Sequence, residues 1–64
     1  MVRINGQELD LNGQNLLTYL QEKEYRTDRI AVELNKKIVP RKTYGQVTLH
    51  DGDSLEIVHF VGGG

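Results

Sequence analysis

The sequence predicts an α+β domain, a mixed β-sheet with one main helix packed on one face. Three observations predict it. Short alternating apolar and polar runs recur toward both ends of the chain. A single stretch with helical spacing lies between them. The last run, LEIVHFV, is apolar on both faces, as a central strand requires. With 64 residues the chain is expected to form one domain.

The elements follow in chain order. Residues 1–4 alternate, and Asn5-Gly6 follows; that pair accepts positive φ at both central positions of a tight hairpin turn. Residues 7–11 supply the partner strand, with Leu9 and Leu11 on one face. Asn12-Gly13 breaks it, and Asn15 is placed to cap a helix. Leu16, Leu17, Leu20 and Lys23 share a face at helical spacing, predicting two to three turns that end near Glu24 or Tyr25. No glycine marks the exit.

Residues 29–34 read as a strand, with Ile30, Val32 and Leu34 alternating against Ala31 and Glu33. Asn35-Lys36-Lys37 is a turn, and Ile38-Val39 is a short apolar piece stopped by Pro40, which suits a strand end or sheet edge. Residues 41–46 connect, with Tyr44 as an anchor to the core. Residues 47–49 are a brief strand or turn. Asp51-Gly52-Asp53 is a turn, and residues 54–61 form the last strand. On that strand Leu55, Ile57, His59 and Val61 form the inner set, and Glu56, Val58 and Phe60 the outer one. The order β-β-α-β-β-β is that of a β-grasp sheet, with the last strand central beside the first.

Composition narrows the function classes. Hydrophobic residues make up 38% and charged residues 27%, with a formal net charge of −1. That balance lacks the basic excess nucleic-acid binders carry. The chain has no cysteine, which excludes disulfides, thiolate metal sites and cysteine nucleophiles and favours a cytoplasmic setting. No signal peptide is expected, and no apolar run approaches the ~18 residues of a membrane span. A domain of this size builds a core with little left over to wall a cleft, so a binding or carrier module is favoured over an enzyme.

The chain closes Gly62-Gly63-Gly64 directly after the strand predicted to be central. Glycine loses most entropy on ordering, so residues 62–64 are expected to be a flexible tail on a domain of residues 1–61. Three extended residues reach about 10 Å, and without Cβ atoms they fit a narrow slot. A terminal carboxyl, with a usual pKa of about 3.3–3.7, is ionised at neutral pH and resists attack until activated. A frayed end and a cloning scar are the bland alternatives.

Other features carry less. Val58 and Phe60 fall on the face a single helix leaves uncovered and make a patch suited to a partner, unless a bulge turns them inward. His50 and His59 lack metal-site spacing, and no metal is expected. Lys36, Lys37, Arg41 and Lys42 form a basic run that suits a protected sheet edge, or contact with an acidic partner or phosphates. No acid–base pair or phosphate loop stands out.

The sequence resembles the ThiS family of sulfur carriers, ubiquitin-like β-grasp proteins of thiamine biosynthesis. The resemblance covers essentially the whole chain. It is carried by Ile4-Asn5-Gly6, by Asn15-Leu16-Leu17-Thr18-Tyr19-Leu20, and by residues 31–41, AVELNKKIVPR. Residues 51–58, DGDSLEIV, and the closing glycines complete it. It implies a carrier and not an enzyme. An activating enzyme would adenylate the Gly64 carboxylate, consuming ATP, with no cofactor held by the carrier itself. Sulfur, drawn from cysteine through a desulfurase, would then give a thiocarboxylate for thiazole synthase. Gly63 and Gly64 would be the terminal pair, with Gly62 behind them, and Val58, Phe60 and Val61 would dock on partners. The family typically ends in two glycines, and this chain has three; counted back from Gly64 the pair still fits. A carrier for molybdopterin or another pathway, a TGS-like β-grasp binding module, and a ubiquitin-like modifier are the competing readings.

Overall fold

The structure is a computed structural model and describes residues 1–60. Five strands, β1 (Val2–Ile4), β2 (Gln7–Leu9), β3 (Ile30–Leu34), β4 (Lys37–Ile38) and β5 (Ser54–His59), form one sheet in the order β2-β1-β5-β3-β4. The helix α1 (Leu16–Glu22) lies between β2 and β3 in the chain. β5 is central, parallel to β1 and antiparallel to β3. This is the mixed sheet with one main helix that the element order predicts.

Both outer hairpins turn on left-handed residues. Asn5 and Gly6 take φ of 50° and 84°, the geometry an Asn-Gly hairpin selects. The Asn5 carboxamide also reaches across to β5. Its Oδ1 accepts from the Ile57 N–H at 2.7 Å and its Nδ2 donates to the Ile57 carbonyl at 3.2 Å. The parallel ladder thereby extends past the end of β1. At the other hairpin Asn35 and Lys36 take φ of 52° and 70°. The Asn35 side chain accepts from the Ser54 N–H at 2.9 Å and donates to Asp53 at 3.0 Å, fixing the start of β5.

Asn15 caps α1 as its sequence position predicts. Its Oδ1 accepts from the Thr18 N–H at 3.0 Å, and its Nδ2 donates to the Gly45 carbonyl at 2.9 Å, tying the helix to the 3-10 segment Arg41–Gln46. The buried face is Leu16, Tyr19 and Leu20, with Leu17 half-buried; Lys23, expected on that face, is exposed. The helix stops at Glu22, two residues before the expected end. Glu24 takes φ of 62°, its N–H donates to the Gln21 carbonyl, and the Tyr25 N–H donates to the Leu20 carbonyl. That is a Schellman ending built without glycine.

The core joins these helix residues to Val2, Ile4, Ile30, Val32, Leu55 and Ile57 from the sheet, with Tyr44 and Leu49 closing one end. Tyr44 is the anchor expected of its segment. Residues 47–49 resolve into a single bridge, Asn15 with Thr48, rather than a strand.

Candidate functional site

The site is built on β5. Residues directly opposite one another on paired strands share a face. Ile30, Val32 and Leu34 oppose His59, Ile57 and Leu55 on the helix side; Ala31 and Glu33 oppose Val58 and Glu56 on the other. Ile38 of β4 opposes Glu33 and belongs to that second face. No helix covers it among the described residues. Val58 is 58% exposed, Phe60 51% and Ile38 64%. Val58 and Phe60 therefore stand outward with no bulge turning them in. Ala31, Ile38, Glu33 and Glu56 join them, although the sequence singles out only the two β5 residues. The alternation of β3 holds the signal for Ala31 and Glu33, but only the β3–β5 register shows which residues they meet.

Phe60 continues the ladder beyond β5, donating its N–H to the Arg29 carbonyl at 2.8 Å. The patch thus sits at the end of the central strand, four residues before Gly64. Four extended residues span at most about 14 Å. Val61, Gly62, Gly63 and Gly64, the other residues expected to matter, lie outside the described residues.

His59, expected among the inner set, shares the helix-side face with Ile30 but is exposed. Its ring stacks on Tyr25 with centroids 5.4 Å apart and planes 26° from parallel. Among the described residues no group of three or more His, Asp or Glu is placed to hold a metal ion. No helix among them is long and apolar enough to cross a membrane. A polar depression lined by Met1, Arg3, Glu8, Gly52, Asp53 and Ser54 lies at the opposite end of β5 from Phe60. Lys36, Lys37, Arg41 and Lys42 are all exposed: Lys36 and Lys37 at the β4 edge, where charge discourages strand-to-strand pairing, and Arg41 and Lys42 at the start of the 3-10 segment Arg41–Gln46.

The chemistry open to this arrangement is presentation. A packed sheet holds an apolar face of few side chains next to the strand end that leads to residues 61–64.

A segment of a thiazole synthase from Paramagnetospirillum magneticum is 44% identical to this chain over 62 residues, 95% of the chain. The chain spans 19% and 20% of the lengths of the two thiazole synthases it matches. The sulfur carrier protein ThiS of Bacillus subtilis is 35% identical over 66 residues, covering all of both chains. The crystal structure of a thiamine biosynthesis protein (ThiS) from Geobacter metallireducens superposes with a TM-score of 0.78 at 30% identity, covering 98% of this chain and 97% of that one. The ThiS family model matches residues 2–64, and on that match and the shared fold the chain belongs to the ThiS family.

Proposed function

We propose that this chain is a cytoplasmic sulfur carrier of thiamine biosynthesis, a substrate handed between enzymes rather than a catalyst. The reacting atoms are those of the Gly64 carboxylate. One carboxylate oxygen attacks the α-phosphorus of ATP in an activating enzyme, forming an acyl adenylate and releasing pyrophosphate. A persulfide, charged from cysteine by a desulfurase, adds through its terminal sulfur to the acyl carbon and expels AMP; a thiol of the partner then attacks the resulting acyl disulfide, forming a disulfide and releasing the thiocarboxylate. Thiazole synthase then takes the sulfur. ATP is consumed by the partner, and the carrier holds no cofactor.

The observation that carries this reading is placement. Phe60 continues the ladder past the end of the central strand and stands two residues before Gly62-Gly63-Gly64, and it and Val58 are apolar and exposed. A partner that covers Val58 and Phe60 has the glycines within reach of its own active site. Thiazole synthase is favoured as the acceptor because stretches similar to this chain form part of proteins bearing that name.

Intact-mass measurement tests the reading. After incubation with ATP, a sulfur source and the activating enzyme, the protein gains one sulfur in place of one oxygen. A variant extended by one residue after Gly64 keeps its unfolding transition and gains none. Adducts on the lysines of other proteins would make it a modifier instead, and sulfur transfer to a molybdopterin synthase subunit alone would reassign the pathway.

A further inference from the structure

We propose that Glu33 and Glu56 are the acidic half of the docking face, and that the thiazole synthase surface covering it presents an arginine or lysine side chain to them. The inference rests on the functional reading above, which supplies the occupant.

Glu33 lies directly opposite Glu56 across the β3–β5 ladder. Directly opposed residues in an antiparallel pair hold their Cβ atoms about 4.5–5.5 Å apart, so the two glutamate side chains leave the sheet as neighbours, and like charges so placed work against the sheet. Neither has an ion-pair or side-chain hydrogen-bond partner among the described residues, whereas Arg3 on β1 is paired with Glu8 at 2.7 Å. The pair adjoins the apolar residues, with Ser54 of β5 and Arg3 of β1 next on its other side. Ile38 opposes Glu33 on one side, and Val58 follows Glu56 by two residues, about 7 Å along the strand, on the other.

A partner that seals Val58 and Phe60 from water therefore strips water from the pair as well. Two buried like charges without a counter-charge would oppose docking. A guanidinium or ammonium between them converts the same feature into a charge-assisted contact, and a guanidinium has donors enough for both carboxylates. The face also has a direction. Arg29 lies beside Phe60 near the tail, and the acidic pair lies about 13 Å along β5 from Phe60. A partner of complementary polarity docks one way round, with the Phe60 end of the face fixed against it. A second copy of this chain fits poorly, since a two-fold axis through the pair would gather four carboxylates.

The test measures binding of the full chain to purified thiazole synthase at two salt concentrations, with thermal unfolding alongside. The Glu33→Gln/Glu56→Gln variant is expected to bind at least tenfold more weakly and with less salt dependence than the wild type. Its unfolding midpoint should stay level or rise, because the repulsion is gone. Glu33→Lys/Glu56→Lys should lose more. Binding of the Gln variant as tight as wild type overturns the inference. So does a lowered unfolding midpoint in that variant, a glutamate-dependent dimer of the wild type, or glutamate-dependent binding to the activating enzyme with none to the synthase. Sulfur loading is read separately. Glutamate-dependent binding by a protein that never gains sulfur sinks the functional reading and leaves this one standing. Normal loading and transfer with unchanged Gln-variant affinity does the reverse.

Discussion

Phe60→Asp separates docking from folding. Full burial of a phenylalanine side chain stabilises by about 1.5–3 kcal/mol. Phe60 is 51% exposed, so about half of that, roughly 1 kcal/mol, already serves the fold, and a similar amount is left for a partner to gain. Losing the second half alone weakens binding by about fivefold, since 1.4 kcal/mol is one decade. The new carboxylate must also be desolvated on docking, beside a face that already carries Glu33 and Glu56. The loss should therefore exceed tenfold. On the folding side, about 1 kcal/mol is lost from a domain whose size implies a total of roughly 3–10 kcal/mol. The variant stays folded. Urea denaturation gives the first quantity, and titration against the activating enzyme and thiazole synthase gives the second. A stability loss above about 3 kcal/mol would mean that Phe60 is core. Wild-type affinity for both proposed partners would mean that this face is not a docking site for them.

Two further outcomes follow from the fold. Asn5→Ala removes two hydrogen bonds to Ile57 and leaves a left-handed φ of 50° to alanine; the expected loss is about 2–3 kcal/mol in urea denaturation, and a loss under about 0.5 kcal/mol would show that the carboxamide bridge is idle. Burial pushes the phenols of Tyr19 and Tyr44 above the usual value of 10.0, with Arg41 pulling Tyr44 partly back. The folded state thus holds these protons longer than the unfolded chain. Their contribution is fully present below about pH 10 and is lost as pH rises from there through the folded values. Tyrosinate absorbance should show late ionisation, and urea midpoints should fall only above about pH 10; Tyr44→Phe should lessen the fall. Ionisation of all tyrosines at the free value with a flat alkaline profile would contradict this.

Much of the fold is legible because its turns have local chemistry. Asn5-Gly6 demands a hairpin and Asn15 caps a helix wherever they occur. The outward stance of Val58 and Phe60 follows from period two once one helix is assigned to one face. Other features depend on tertiary lengths and distances. A seven-residue helix is about 10 Å long and a six-residue strand about 20 Å, so α1 cannot cover all of β5. This is why His59, on the helix side by alternation, is exposed and rests on Tyr25 instead. Spacing alone admits both Lys23 and Tyr19 to the helix face, and the core takes Tyr19 because its ring is apolar and its oxygen can stay at the surface. The Schellman ending at Glu24 is hidden because no glycine announces it. The hydrogen bonds from the Asp51 N–H to Asn12 Oδ1 and from Asn35 Nδ2 to Asp53 join turns 39 and 18 residues apart, beyond any local pattern.

The central position of β5 also governs when the molecule becomes a solid. A nascent chain that lacks Ser54–His59 has two separate hairpins, since β1 and β3 meet only through that strand. Neither hairpin alone gives Leu16 and Leu20 a sheet to lie on, and isolated hairpins are marginal in water. The ribosome must therefore deliver nearly all of these 64 residues before the globule condenses, and the strand that completes it is the one leading into the glycines.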